Sequence, residues 1–375
     1  MFIFTILGIS IILIVLVDAF ETIVLPRRVS RRFRLARGFY RITWLPWVKI
    51  ATYFPSETFR QIYLGIYGPL SLIVLLVFWA IGLILGFALF NFGMDIDIIV
   101  SHGPKDFITY LYASGTTFFT LGLGDVYPAK HIGRISFVTE AGTGFTFLAI
   151  IIGYLPTLYQ AFSHRETQVT MLDARAGSPP SASLLLSVYK GKDMENSLTQ
   201  LLENWEVWCS ELLEVQLSYP ILAYYRSQHE RQSWLSTLSL ILDISSLILV
   251  GVNNVSKRQA QFTFAVARHA VVDLTQIFRL TPHFPQKERL PAKDLKQLRE
   301  ILKKRGIILA HGKKEDEYFE ELRNLYEPYL QVLSEYFHMP LSTFVLSADN
   351  EEEWKSTPWK RITKNIGRNR PNGNI

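Results

Sequence analysis

The sequence predicts an all-α membrane protein with a second, water-soluble helical half. Two observations carry this. Apolar residues gather in the first 160 positions as three runs, 2–25, 62–92 and 135–158, each reaching the ~20 residues needed to span a hydrocarbon core. Beyond residue 161 the pattern becomes amphipathic and mixed in charge, with helical periodicity and no strand alternation. The length of 375 residues allows one to three domains. The net charge of +6 is mild and local, so it reads as membrane topology, and no nucleic-acid partner is expected. A single cysteine, Cys209, excludes an intrachain disulfide framework and is expected to be a reduced, structural thiol.

The first run has no basic residues ahead of its apolar core and ends in Pro26-Arg27-Arg28. It therefore reads as a retained helix (1–25) and not as a cleaved leader. Asp18 and Glu21 lie near its end, within reach of water or of the arginines that follow. Segment 26–61 is basic: Arg27, Arg28, Arg31, Arg32, Arg34, Arg37, Arg41, Lys49 and Arg60, against one acid, Glu57. The positive-inside rule puts this segment in the cytoplasm, the N-terminus outside and the C-terminus inside. Trp44, Trp47, Tyr53 and Phe54 among the arginines suit a helix in the membrane interface, which Pro46 and Pro55 are expected to break into pieces.

Run 62–92 then travels outward and run 135–158 returns. The connection carries Asp95, Asp97, His102, Lys105 and Asp106, fitting the external side. Asp106 is the predicted N-cap of a short re-entrant helix over 107–118, whose C-terminal dipole favours a cation. None of the spanning runs carries basic residues at every third position, the pattern of a voltage-sensing helix.

After that helix comes Thr116-Thr117-Phe118-Phe119-Thr120-Leu121-Gly122-Leu123-Gly124-Asp125-Val126-Tyr127-Pro128. A T-x-G-x-G-D run between two spanning segments resembles the selectivity filter of the pore-loop potassium channel superfamily, of the two-transmembrane type, here with an extra N-terminal helix. The resemblance covers roughly 62–160, the pore domain. It implies that carbonyls of Thr120, Leu121, Gly122, Leu123 and Gly124, with the Thr120 hydroxyl, replace the water shell of K⁺, with Asp125 at the outer mouth and Leu121 and Leu123 packed behind the filter. K⁺ is then the permeant ion, with no other metal and no cofactor. Since one strand cannot surround an ion, a homotetrameric channel in the lipid bilayer follows. The family more often has Val or Ile at the position of Leu121, Tyr or Phe at that of Leu123, and Thr at that of Phe119. Leu123 lacks the hydrogen bonds by which a tyrosine fixes filter width, a departure that bears on K⁺ over Na⁺ selectivity.

The inner helix, within 133–162, carries Gly142, Gly144, Gly153 and Pro156. A glycine hinge with a proline kink and simple close packing both stay open. Glu140 is an acid inside a membrane helix, by default a functional hypothesis. At helical spacing it shares a face with Gly144, Phe147 or Leu148, Ile151 and Leu155. Bracing of the filter is the favoured role; cation attraction in the cavity and a surface position are the alternatives.

In the remaining half, 161–182 reads as a linker ending in Ser178-Pro179-Pro180, 183–348 as a helical cytoplasmic domain and 349–375 as a disordered tail. Helices are expected near 183–190, 194–217, 221–229, 232–250, 257–280, 293–305 and 315–337. Stretch 234–252 is nearly apolar enough to span, but its serines and Asp243 favour the core of a soluble bundle. There is no phosphate-cradling glycine loop, no metal-ligand spacing among the histidines and no nucleophile–base set, so an enzyme is not expected. The domain is expected to gate the pore, through a cytoplasmic ligand the sequence leaves unidentified. A weakly selective monovalent cation channel, or a membrane sensor on a channel-like scaffold, are the competing functions.

Overall fold

The structure, a computed structural model, describes residues 1–25, 35–177, 179–189, 194–227, 232–252 and 255–345. Five arginines of the basic segment (27, 28, 31, 32 and 34) and the expected disordered tail, 349–375, lie outside the described residues. Those described form twelve α-helices, a π-helical turn, a 3-10 turn and two short strands, in two compact units, Met1–Ala161 and Phe162–Ile375.

The first unit begins with α1 (Phe2–Ala19), which ends in the π-helical turn Phe20–Val24. It packs along α3 (Glu57–Gly93), where small residues admit close backbone approach. A Cβ at Gly8 would lie 2.6 Å from the Gly86 carbonyl oxygen and from the Phe90 amide nitrogen. Between them, α2 (Leu35–Ala51) keeps Pro46 inside one unbroken helix, contrary to the expected break there. Pro55 lies in the turn between α2 and α3. Asp18 ties the three helices together. Its carboxylate accepts from the Trp79 indole on α3 at 3.0 Å and from the Ala36 amide at the start of α2 at 3.0 Å.

After α3 come β1 (Ile98–Val100), α4 (Phe107–Phe118), β2 (Val126–Pro128) and α5 (His131–Ala176). The strands pair antiparallel, Ile98 opposite Pro128 and Val100 opposite Val126, so the fold is mostly and not purely helical. Ile96, Ile98 and Tyr110 make a small core here, flanked by Phe92, Val100, Val126 and Phe137. Helix α5 corrects the linker expectation. Its 46 residues run unbroken through His164 to Ala176, past Pro156, and stop at Gly177, whose φ of 78° ends a helix cheaply.

In the second unit, α6 (Ala182–Val188), α7 (Met194–Ser218), α8 (Trp234–Gly251), α9 (Lys257–Ile277), α10 (Ala292–Lys304), α11 (Lys313–Asn324) and α12 (Glu327–Phe337) form a helical bundle. The helix expected over 221–229 is instead the short 3-10 turn Pro220–Tyr224, and that expected over 315–337 divides near Leu325. The last residues of α5 belong to this unit. The buried Arg165 guanidinium donates to the carbonyls of Leu222 at 2.7 Å and Tyr225 at 2.9 Å, beside Glu166.

Among the described residues, four helices are long and apolar enough to cross a membrane: α1 with its π turn, α3, α5 and α8. The apolar window of α8 is 94% buried inside the chain, against 28%, 56% and 22% for the others. A lipid-facing helix must leave apolar surface uncovered, and α8 leaves almost none. It is the core of the second unit, opened by a reciprocal cap between Ser233 and Ser236. The first three carry exposed rows, such as Ile73, Val77 and Ile81 on α3 and Val138, Phe145 and Ile152 on α5. The chain is an integral membrane protein.

Candidate functional site

Helix α4 starts where Asp106 accepts from the Thr109 amide at 2.9 Å, satisfying one of the free N–H groups of the first turn. Its far end folds back on itself: the Thr120 amide donates to Thr117 at 2.9 Å and the Leu121 amide to Thr116 at 2.8 Å. From there the backbone takes positive φ at every second residue, 54° at Thr120, 56° at Gly122 and 78° at Gly124. Glycine adopts this region freely. A β-branched threonine does not, so Thr120 holds strain that the surrounding bonds must impose. Among the described residues, no donor reaches the carbonyls of Thr120, Leu121, Gly122, Leu123 or Gly124.

The C-terminal end of this strand is fixed at Asp125. Its carbonyl accepts from the Ser101 amide at 2.9 Å, and its carboxylate accepts from the Tyr112 hydroxyl of α4 at 2.8 Å. Strand β2 starts at the next residue, so the β1–β2 pair holds the strand's exit. The five carbonyls lie between two anchors, the end of α4 and Asp125.

Helix α5 backs α4. Gly144 meets the backbone of Phe118 so closely that a Cβ there would overlap the Phe118 carbonyl. One turn on, the Phe147 ring lies 6.1 Å from that of Phe118. One turn earlier, Glu140 is completely buried and touches Ser114 of α4. The Ser114 hydroxyl also stands 2.8 Å from the Ile84 carbonyl of α3. Two further bonds support the layer: Tyr110 to the Ile96 carbonyl at 2.6 Å, and Ser136 to Asn91 at 2.6 Å.

Of the inner-helix candidates, the structure brings Glu140 and Gly144 together against α4. A methyl group on Gly142 would meet no described atom within 4 Å, and Pro156 lies on the exposed side of α5. For Gly144 the geometry is that of close packing. For Glu140, neither a surface position nor a place in an open cavity fits a side chain with no exposed area. Leu121 and Leu123 are left largely uncovered by their own chain, 61% and 63% exposed.

Sequence reasoning missed Tyr112 and Ser114. Tyr112 sits eight residues before Thr120 on a helix that ends beneath the strand, a spacing that lets its hydroxyl reach back to Asp125. Ser114 carries a weaker signal: a buried acid needs a partner, and it is the small polar residue in the middle of α4.

Residues 72–161 match the model of a family described as "Ion channel". The matched stretch covers most of α3, all of α4, the strand from Thr120 to Asp125 and the first part of α5. No curated protein and no solved structure matches the chain.

Proposed function

We propose that this ion-channel protein is a potassium channel, permeated passively through the strand Thr120–Asp125. The observation that carries the proposal is the run of five carbonyls without a donor on a backbone that alternates in hand. Alternation turns successive carbonyls toward one side instead of two. Peptide oxygens at membrane depth need a partner, and a dehydrated K⁺ ion is the partner such a row suits. The C-terminal dipole of α4 adds negative potential at the inner end, and Asp125 adds charge outside. One chain supplies one strand, so the working unit is a homotetramer with four strands around a common axis. The exposed Leu121 and Leu123 then pack against neighbouring subunits.

The orientation follows from charge: N-terminus outside, the basic segment and the C-terminal unit in the cytoplasm of a plasma (inner) membrane. The second unit acts as the gating domain, and the Arg165 bonds that hold the end of α5 within it are the route by which its movement reaches the pore. Any ligand it senses is an additional cytoplasmic partner. The protein needs neither a cofactor nor catalytic groups, because permeation makes and breaks no covalent bond.

Purified chain in liposomes tests this. Valinomycin-free K⁺ flux that greatly exceeds Na⁺ flux, and that Gly122→Ala abolishes, is the expected result; absence of any cation flux sinks it. A second reading, a pore passing K⁺ and Na⁺ alike, is favoured by Leu123, which offers no hydrogen bond to fix filter width. A reversal potential near zero in opposed K⁺ and Na⁺ gradients would select it.

A further inference from the structure

We infer that Glu140 is held as a neutral carboxylic acid and acts as a hydrogen-bond donor, linking α5, α4 and α3 behind the candidate filter. The number of protons at Ser114 decides it. The Ser114 hydroxyl owns one, and two oxygens stand against it: the Ile84 carbonyl at 2.8 Å and Glu140 Oε1. The Ile84 carbonyl can only accept. If Glu140 were ionised it too could only accept, and both would compete for one hydrogen. If Glu140 carries the proton, each contact has its own hydrogen. Glu140 then donates to Ser114 Oγ, and Ser114 donates to the Ile84 carbonyl.

Two further observations agree. Among the described residues, the buried Glu140 Oε2 has no hydrogen-bond partner, tolerable for the carbonyl oxygen of an acid and severe for half of a carboxylate. And among the described residues no cation stands against it. The other titratable groups of α4 are Tyr110 and Tyr112, engaged with the Ile96 carbonyl and with Asp125. The nearest basic residue on α5 before it, Arg134, lies on the exposed side, and α3 carries no charged residue between Arg60 and its end. A buried carboxylate with neither a cation nor a second donor is the arrangement proteins avoid by binding a proton.

The chemistry assigned to Glu140 is that of a positioning residue: it fixes α4, and through α4 the inner anchor at Thr116 and Thr117, without adding charge to the pore. Only its place behind a filter rests on the channel reading.

Infrared difference spectroscopy of the full-length protein in lipid at neutral pH, unaltered chain minus Glu140→Gln, tests it. The expected result is a protonated carboxylic C=O stretch that is lost in Glu140→Gln and moves to higher frequency in Ser114→Ala, where the acid has lost its acceptor. A difference spectrum showing only carboxylate bands overturns the proposal, as does a carboxylic band that Ser114→Ala leaves in place. The readout does not use ion flux, so its failure is distinct from failure of the channel reading.

Discussion

Glu140 in the first unit and Asp243 in the second are both completely buried, yet they are satisfied by opposite means. Asp243 is crowded with donors. Arg289 reaches its two oxygens at 2.6 and 3.3 Å, the Tyr326 hydroxyl donates at 2.9 Å and the Ser342 hydroxyl at 2.6 Å. Arg323 and Glu327 extend the cluster. Burial would lower the Arg289 pKa, but Asp243 and Glu327 beside it raise it above its ordinary value. Burial, then Asp243, pushes the Tyr326 phenol well above the usual range, so it stays a donor. Among the described residues, Glu140 has one serine. A bundle with aqueous loops can carry an arginine in from the segment before α10, whereas a helix bounded by lipid and other membrane helices has no such source, and a proton is the smaller charge to bring. Asp18 shows a third solution, in which the N–H of a helix start and an indole are among its partners.

The largest expected effect comes from removing the charge at Asp243. Among the described residues, Asp243→Asn leaves buried Arg289 with only Glu327, 3.5 Å away, to neutralise it, and should destabilise the second unit by about 3 kcal/mol. Cys209 reports this directly. It is the sole cysteine, is fully buried, and burial followed by Glu206 pushes its thiol pKa up, so a thiol reagent reaches it only when the core opens. Labelling of Asp243→Asn should run more than a hundredfold faster than that of the unaltered chain, about what 3 kcal/mol implies. Equal rates would mean that the arginine does not compensate the acid.

Next comes Ser114→Ala. It deprives the Ile84 carbonyl of a donor and Glu140 of its acceptor, a loss of about 1–3 kcal/mol, read as a lowered thermal midpoint of the protein in detergent. Asp18→Asn keeps an acceptor for the Trp79 indole and the Ala36 amide but loses the negative charge at the start of α2, about 1 kcal/mol by the helix-dipole estimate. A loss as large as that at Asp243 would show that Asp18 depends on a full ion pair and not on backbone and indole donors.

None of these three solutions is legible as a pairing in the sequence, although each acid is conspicuous there. The spanning helices are legible because a membrane demands a long apolar run, and α4 because Asp106 and the glycine run bracket it. Pairing is a long-range fact: 26 residues separate Ser114 from Glu140, and 46 separate Asp243 from Arg289. The extent of α5 is hidden for a different reason. His164–Ala176 is polar, and polarity suggests a linker, but polar residues form a stable helix when one face has a partner. Phe162, Arg165, Val169 and Leu172 make that face at helical spacing, all buried. The true stop signal, Gly177, lies where the helix ends. The break between α11 and α12 likewise has its sign in Pro328, at the first turn of the later helix.

The smallest effect should come from Glu140→Gln, and it separates the two buried acids most sharply. A glutamine has the size of the protonated acid. Its amide can donate to Ser114, leaving Ser114 free to donate to Ile84, and its carbonyl takes the place of the partnerless Oε2. The exchange strands no buried cation among the described residues. The thermal midpoint should therefore move by no more than about 0.5 kcal/mol allows, while the same acid-to-amide exchange at Asp243 removes the counter-charge of Arg289 and is severe. If Glu140→Gln instead matched Asp243→Asn in its loss, Glu140 would have to be a carboxylate, and the contrast between a proton in the membrane unit and an arginine in the bundle would fail.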